Sequence, residues 1–96
     1  MARTPSIMHP DEKRCYITGY QSMLDCHHIF HGFNRNASDD LGCWVWLRHD
    51  LHMALHSHSK PCETLDHDLK VICQKRFEEM GHTREEFIRI FGRSYI

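Results

Sequence analysis

Between residues 24 and 57 the apolar side chains change period, and that change leaves few arrangements open to the chain. From Leu24 to Phe30 the apolar positions Leu24, Cys26 and Phe30 alternate with Asp25, His27 and Ile29, which is strand spacing with one imperfect position. Cys43-Trp44-Val45-Trp46-Leu47 is an apolar run too short and too rich in aromatic and branched residues for a helix, so it reads as a second strand. From Arg48 to Ser57 the pattern turns helical: Leu51 and Leu55 recur at i, i+4, and so do His52 and His56. A hairpin of 24–30 with 43–47, followed by a helix, places the chain in the α+β class.

The flanks add less regular pieces. Residues 1–13 hold Pro5, Pro10 and mixed charge without periodicity and read as an extended, partly mobile lead-in. Cys15-Tyr16-Ile17-Thr18 is strand-like and is stopped by Gly19. The segment His31–Gly42 carries Gly32, Asn34, Asn36, Ser38, Asp39 and Asp40, a loop composition; connections of that length are usually functional or disordered, and this one reads as functional. Ser57–Pro61 reads as a hinge. Beyond it Leu65, Leu69, Ile72, Phe77 and Met80 mark an amphipathic helix closed by Gly81. Thr83 with Glu86 forms a capping box that opens a last helix through Phe87, Ile88, Ile90 and Phe91 to Gly92. The two C-terminal helices thus fall within 63–92, and the whole of 1–96 reads as a single domain.

At 96 residues the core is small, and Trp44, Trp46, Leu51, Leu55, Phe77, Phe87 and Phe91 are its candidate members. Twelve Lys and Arg against thirteen Asp and Glu give a formal net charge of -1, with neither half of the chain basic, so no overall field draws in nucleic acid. No apolar stretch approaches the roughly 20 residues that span a bilayer, and the N-terminus carries no signal-peptide core; a soluble, cytoplasmic protein is expected. Five cysteines without a Cys-x-x-Cys pair argue against a disulfide framework. Cys26, Cys43 and Cys73 read as small, reduced core residues.

Histidine is the residue in excess. Ten occur, concentrated between His27 and His58, and imidazole is the commonest metal ligand as well as the side chain that titrates nearest neutrality. A hairpin packed on a helix can bring the adjacent pair His27-His28 to His52 and His56, which share one helical face. One imidazole from the strand and two from the helix make a three-nitrogen site that leaves coordination positions open, as catalytic sites require. The other strand histidine then stands by as a base.

Adjacent histidines followed by an apolar residue, then His-x-x-x-His on a helix after a step from 28 to 52, resemble the HNH, or ββα-metal, nuclease motif. The resemblance runs from Cys15 to His56, and Leu47–His56 resembles the family's Leu-Cys-x-x-Cys-His-x-x-x-His with both cysteines replaced. The loop Asn34-Arg35-x-x-Ser38 and the run Arg84–Arg93 are similar to small prophage-encoded members. The resemblance implies a ββα-metal core over 14–57, His27, His52 and His56 as ligands of one divalent ion, and His28 as general base. It also implies DNA as the partner and phosphodiester hydrolysis in phage DNA processing or recombination as the activity. Three imidazoles and no carboxylate suit zinc, nickel or another late first-row ion better than magnesium, and the ion is expected to be one of zinc, nickel, manganese or magnesium. Arg35 on the long loop, with Arg89 and Arg93 near the end, is expected to touch DNA phosphates, and Lys75 and Arg76 are further candidates.

The chain departs from the family in three places. Of the four cysteines that hold a structural zinc in many members only Cys15 remains, opposite Thr18, Arg48 and Leu51, so that zinc is not expected. The family's loop-bracing Asn falls near Cys43, leaving Asn34, Asn36 or Asp40 to substitute. His31, His49 and His58 lie near enough to compete as ligands. The loss of the Asn also opens an alternative function, a non-catalytic metal-containing nucleic-acid-binding module that kept the core. A histidine-rich metal store is a third possibility, although it would not need strand and helix pairs matched in this way.

Overall fold

The computed structural model describes residues 4–9, 13–30, 35–57 and 60–96. Among them are a two-stranded antiparallel sheet and four helices, in the order β1 (Leu24–His28), α1 (Arg35–Leu41), β2 (Trp44–Arg48), α2 (His49–Leu55), α3 (Lys60–Glu79) and α4 (Arg84–Phe91). The α+β class and the hairpin are as the periodicity predicts. None of the helices is long and apolar enough to cross a membrane.

β1 pairs with β2 in the register Leu24 to Arg48, Cys26 to Trp46 and His28 to Trp44. Because successive strand side chains point to opposite faces, Asp25 and His27 share one face with Val45 and Leu47. Val45 and Leu47 are fully buried there, and α2 packs over the same pair of strands. The core continues through Ile29 and Phe30 to Leu55, Leu69, Cys73, Phe77, Phe87 and Phe91. Phe30 stacks among Phe87, Phe91 and Tyr95, its centroid 4.2 Å from that of Phe91, so the end of β1 is joined directly to α4.

Several expectations are corrected. The lead-in is part of the fold wherever it is described: Ile7 is a core residue, the Ile7 N–H donates to the Gly42 carbonyl (2.9 Å), Ser6 Oγ donates to the Trp44 carbonyl, and Trp44 Nε1 donates to the Thr4 carbonyl (2.8 Å). These bonds, with the Trp46 N–H donating to His9 Nε2 and the Tyr16 N–H to the Trp46 carbonyl, cover the outer edge of β2. An uncovered edge would otherwise offer free backbone groups to another chain. Cys15–Thr18 is a turn rather than a strand, closed by Gly19 N–H donating to the Cys15 carbonyl (2.9 Å). The supposed loop before β2 holds a helix, α1. Lys60 and Pro61 of the expected hinge belong to α3, with Pro61 in the first turn, where its missing N–H removes no helical bond, and residues 58 and 59 lie outside the described ones.

The buried stripe of α3 is Leu69, Cys73 and Phe77, with Leu65 packed beside it, whereas Ile72 and Met80 are exposed. Trp46 and Leu51 are half-buried, and so is Cys26; Cys43 and Cys73 are fully buried. None of the five cysteines is in a disulfide, and the Cys43 thiol beside Cys73, together with burial, pushes the Cys73 pKa upward, which keeps it unreactive. Buried Gln74 ties down the C-terminus: its Nε2 donates to Ser94 Oγ (3.0 Å) and its Oε1 accepts from the Tyr95 N–H (2.7 Å).

α4 carries the predicted capping box, with Thr83 Oγ1 accepting from the Glu86 N–H, and ends in a left-handed Gly92. His82, then the Thr83 backbone, holds the Glu86 carboxyl below its usual value of 4.5. The stability this carries is present above that value and is lost as pH falls through the lowered folded one. Glu86→Gln should therefore weaken the loss of helical circular dichroism seen on acidification below about pH 4.5.

Among the described glycines, Gly42 is the one closely surrounded by other residues. Its φ is +73°, and a Cβ there would collide with the Pro5 carbonyl oxygen and crowd Ile7. Gly42→Ala should cost at least about 2 kcal/mol, a fall in melting temperature of about 8–16 °C, because strain adds to displacement of the lead-in. Gly19→Ala, at φ +81° with open space around it, should lose only the backbone part. Thermal melts of the two variants separate the contributions.

Candidate metal centre

His27 reaches the site from β1 and is 1% exposed. The other two imidazoles come from α2 and its C-terminal cap, His52 within the helix and His56 just after its last residue in helical conformation: residues four apart on such a turn are neighbours, and His52 Nε2 and His56 Nε2 lie 3.3 Å apart. The His27 ring meets both, centroid to centroid at 5.3 Å for His52 and 6.4 Å for His56. One ligand atom from each of the three lies within 4.8 Å of the others. Ligand nitrogens about 2.0–2.1 Å from a tetrahedral zinc sit roughly 3.4 Å from one another, so the His52–His56 spacing already suits a shared ion. The site also grades outward, from buried His27 through half-buried His52 to exposed His56. It is closed on the core side and open to solvent on the other, which leaves room for water or a substrate.

Two carboxylates flank the histidines. Asp25 Oδ2 is 3.0 Å from His52 Nδ1 and 2.7 Å from His49 Nδ1, and these bonds, His52's first, hold the Asp25 carboxyl below the usual carboxylate range. Asp39 Oδ1 is 2.8 Å from His28 Nε2. A carboxylate only accepts, so each ring nitrogen is the donor, and neutral His28 keeps its lone pair on Nδ1.

The three expected ligands are thus brought together, and His28 is not among them. It follows His27 along β1, falls on the opposite face of the strand, and pairs with Asp39 of α1. His49, an expected competitor, is engaged by Asp25, while His31 and His58 lie outside the described residues. The Arg35 side chain also lies outside them. Arg89 is exposed on α4, and the Arg93 guanidinium lies over the Tyr95 ring at 4.9 Å. Lys75 is exposed, but Arg76 is committed to the fold through the Ile7 carbonyl (3.1 Å) and Glu79 (3.4 Å).

Comparison with known proteins adds nothing to this geometry. No family model, curated protein or solved structure matches the chain.

Among the described residues, the segment before β2 is braced by Ser38 rather than by Asn36 or Asp40. Buried Ser38 donates its Oγ hydrogen to the Phe30 carbonyl (3.1 Å), accepts from the Phe30 N–H (3.2 Å), and offers its own carbonyl to the Cys43 N–H (2.8 Å). Asn36 and Asp40 are exposed, and Asn34 is outside the described residues. Ser38→Ala would leave both Phe30 backbone groups without this partner, and chemical denaturation should show a loss of about 1–3 kcal/mol. Sequence reasoning missed Asp25 and Asp39 as well. Asp25 stands two residues before His27, hence on the same strand face, and that spacing was a usable signal. Asp39 carried none while α1 was read as loop.

Proposed function

We propose that the chain is a metal-dependent endonuclease whose hairpin and α2 form a ββα-metal core, with one divalent ion held by His27, His52 and His56. The convergence of these three imidazoles from a strand and a helix, buried at one end and open at the other, carries the reading. DNA as the substrate rests on the resemblance of residues 15–56, and of the Arg84–Arg93 run, to HNH nucleases. A divalent ion in such a site supplies charge neutralisation at the phosphoryl oxygens and at the departing oxygen. The chain's own residues supply the rest. His28, with Nε2–H given to Asp39, takes the proton of the attacking water at Nδ1, and Asp39 gives the resulting imidazolium an anionic partner. Arg89, exposed on α4, is available to a phosphate.

The position of His28 outside the three-histidine group favours a second reading, a module that binds metal and nucleic acid without turnover. One assay divides the two. Supercoiled plasmid is incubated with the protein and magnesium, manganese, nickel or zinc in turn, with a chelator control. Nicked or linear product with at least one ion, abolished by chelator, is the result expected of the nuclease. Bound but uncut DNA under every ion would favour the second reading, and neither binding nor cleavage would contradict both.

A further inference from the structure

We infer that Asp25 is a positioning residue of the histidine cluster, holding His52 so that Nε2 rather than Nδ1 is the ring atom turned to a metal. This rests on the metal-centre reading above. Strand alternation puts Asp25 on the face of His27, directly under the first turn of α2, and His49 and His52 stand there at i, i+3. Both rings give Nδ1 to the same oxygen, Asp25 Oδ2, at 2.7 and 3.0 Å. A carboxylate oxygen accepts only, so His52 must carry its proton on Nδ1. A neutral imidazole has one N–H, and Nε2 is therefore the lone-pair atom. The lone pair then faces the other side of the ring, where His52 Nε2 lies 3.3 Å from His56 Nε2.

His49 gives the carboxylate a second anchor. Its side chain is 55% exposed against 20% for His52, so it closes the solvent side of Asp25 while His52 occupies the inner side. An acid fixed at both sides restricts the rotation of the His52 ring as well as its tautomer. Outer partners of this kind typically change metal affinity 10–100-fold when removed.

The test uses the full chain as wild type, Asp25→Ala, Asp25→Asn and His52→Ala. Nitrogen-15 imidazole spectra of the metal-free proteins at pH 8 read the tautomer, and competition with a chromophoric chelator reads zinc affinity. Wild-type His52, identified by the resonance lost in His52→Ala, should be protonated at Nδ1. Asp25→Ala should mix the tautomers and weaken zinc binding by about 10–100-fold. Asp25→Asn, nearly isosteric and still able to accept from Nδ1–H, should keep the tautomer and lose less, which separates positioning from a general loss of fold. Unchanged tautomer and affinity in both Asp25 variants, with binding still lost in His52→Ala, would overturn the positioning role and leave the metal centre standing. A wild-type protein that binds no zinc would overturn both.

Discussion

Zinc is expected to raise the melting temperature of the wild-type protein, and His52→Ala or His56→Ala to abolish most of the rise. An ion that binds only the folded chain stabilises it by about 2.7 kcal/mol at a hundred times its Kd. For a domain of this size that is a rise of about 11–22 °C. Removal of an outer partner of a ligand alone costs up to about 100-fold in affinity, so loss of a ligand itself should cost at least that, and the rise at the same zinc concentration should shrink to about 2–3 °C or less. His52 is the more informative of the two, because its ring lies between His27, His56 and Asp25. A wild-type rise retained in full by both variants would remove the site.

The second large effect concerns His28. At saturating metal, His28→Ala should lower the plasmid cleavage rate by on the order of 100-fold or more, the usual contribution of a positioned general base, while zinc affinity changes far less than in His52→Ala. The distinction follows from the geometry, since His28 bonds Asp39 and stands apart from the three grouped imidazoles. Asp39→Ala should reproduce part of the loss, because without that carboxylate the His28 ring is free to present either nitrogen. The readout is the initial rate of nicking, with metal titrated to a plateau for each variant. Equal rates for wild type and His28→Ala would take the base role from this residue.

The parts of the fold written in short-range periodicity were legible, and those built by distant contacts were not. Leu51, His52, Leu55 and His56 announce α2 because a helix repeats locally, and Thr83 with Glu86 announces the start of α4 because a cap is a local bond. α1 escaped notice because the apolar residues it packs against the core are Ala37 and Leu41, in a segment otherwise made of Arg, Asn, Ser and Asp. The lead-in escaped for a different reason. Ser6, Ile7 and His9 find partners at Trp44, Gly42 and Trp46, more than thirty residues on, and no periodicity encodes such a match.

The same division runs through the site. Two of the three grouped histidines were signalled by i, i+4 spacing, and the third by its place on a strand paired next to that helix. The choice between His27 and His28 depended on which face of β1 meets α2, which strand alternation leaves open until the register is known. Asp25 and Asp39 act through other side chains, so their contribution is visible only once the rings they bond are placed.

X-ray absorption of the zinc-loaded protein tests the central claim most directly, because it reads the ligand atoms themselves. Three imidazole nitrogens at about 2.0–2.1 Å, with the remaining coordination filled by light atoms and the pattern lost in His52→Ala, is the spectrum the account predicts. A shell containing sulfur at about 2.3 Å would place the ion on the cysteines, and a shell without imidazole would place it on carboxylates; either would contradict the three-histidine centre.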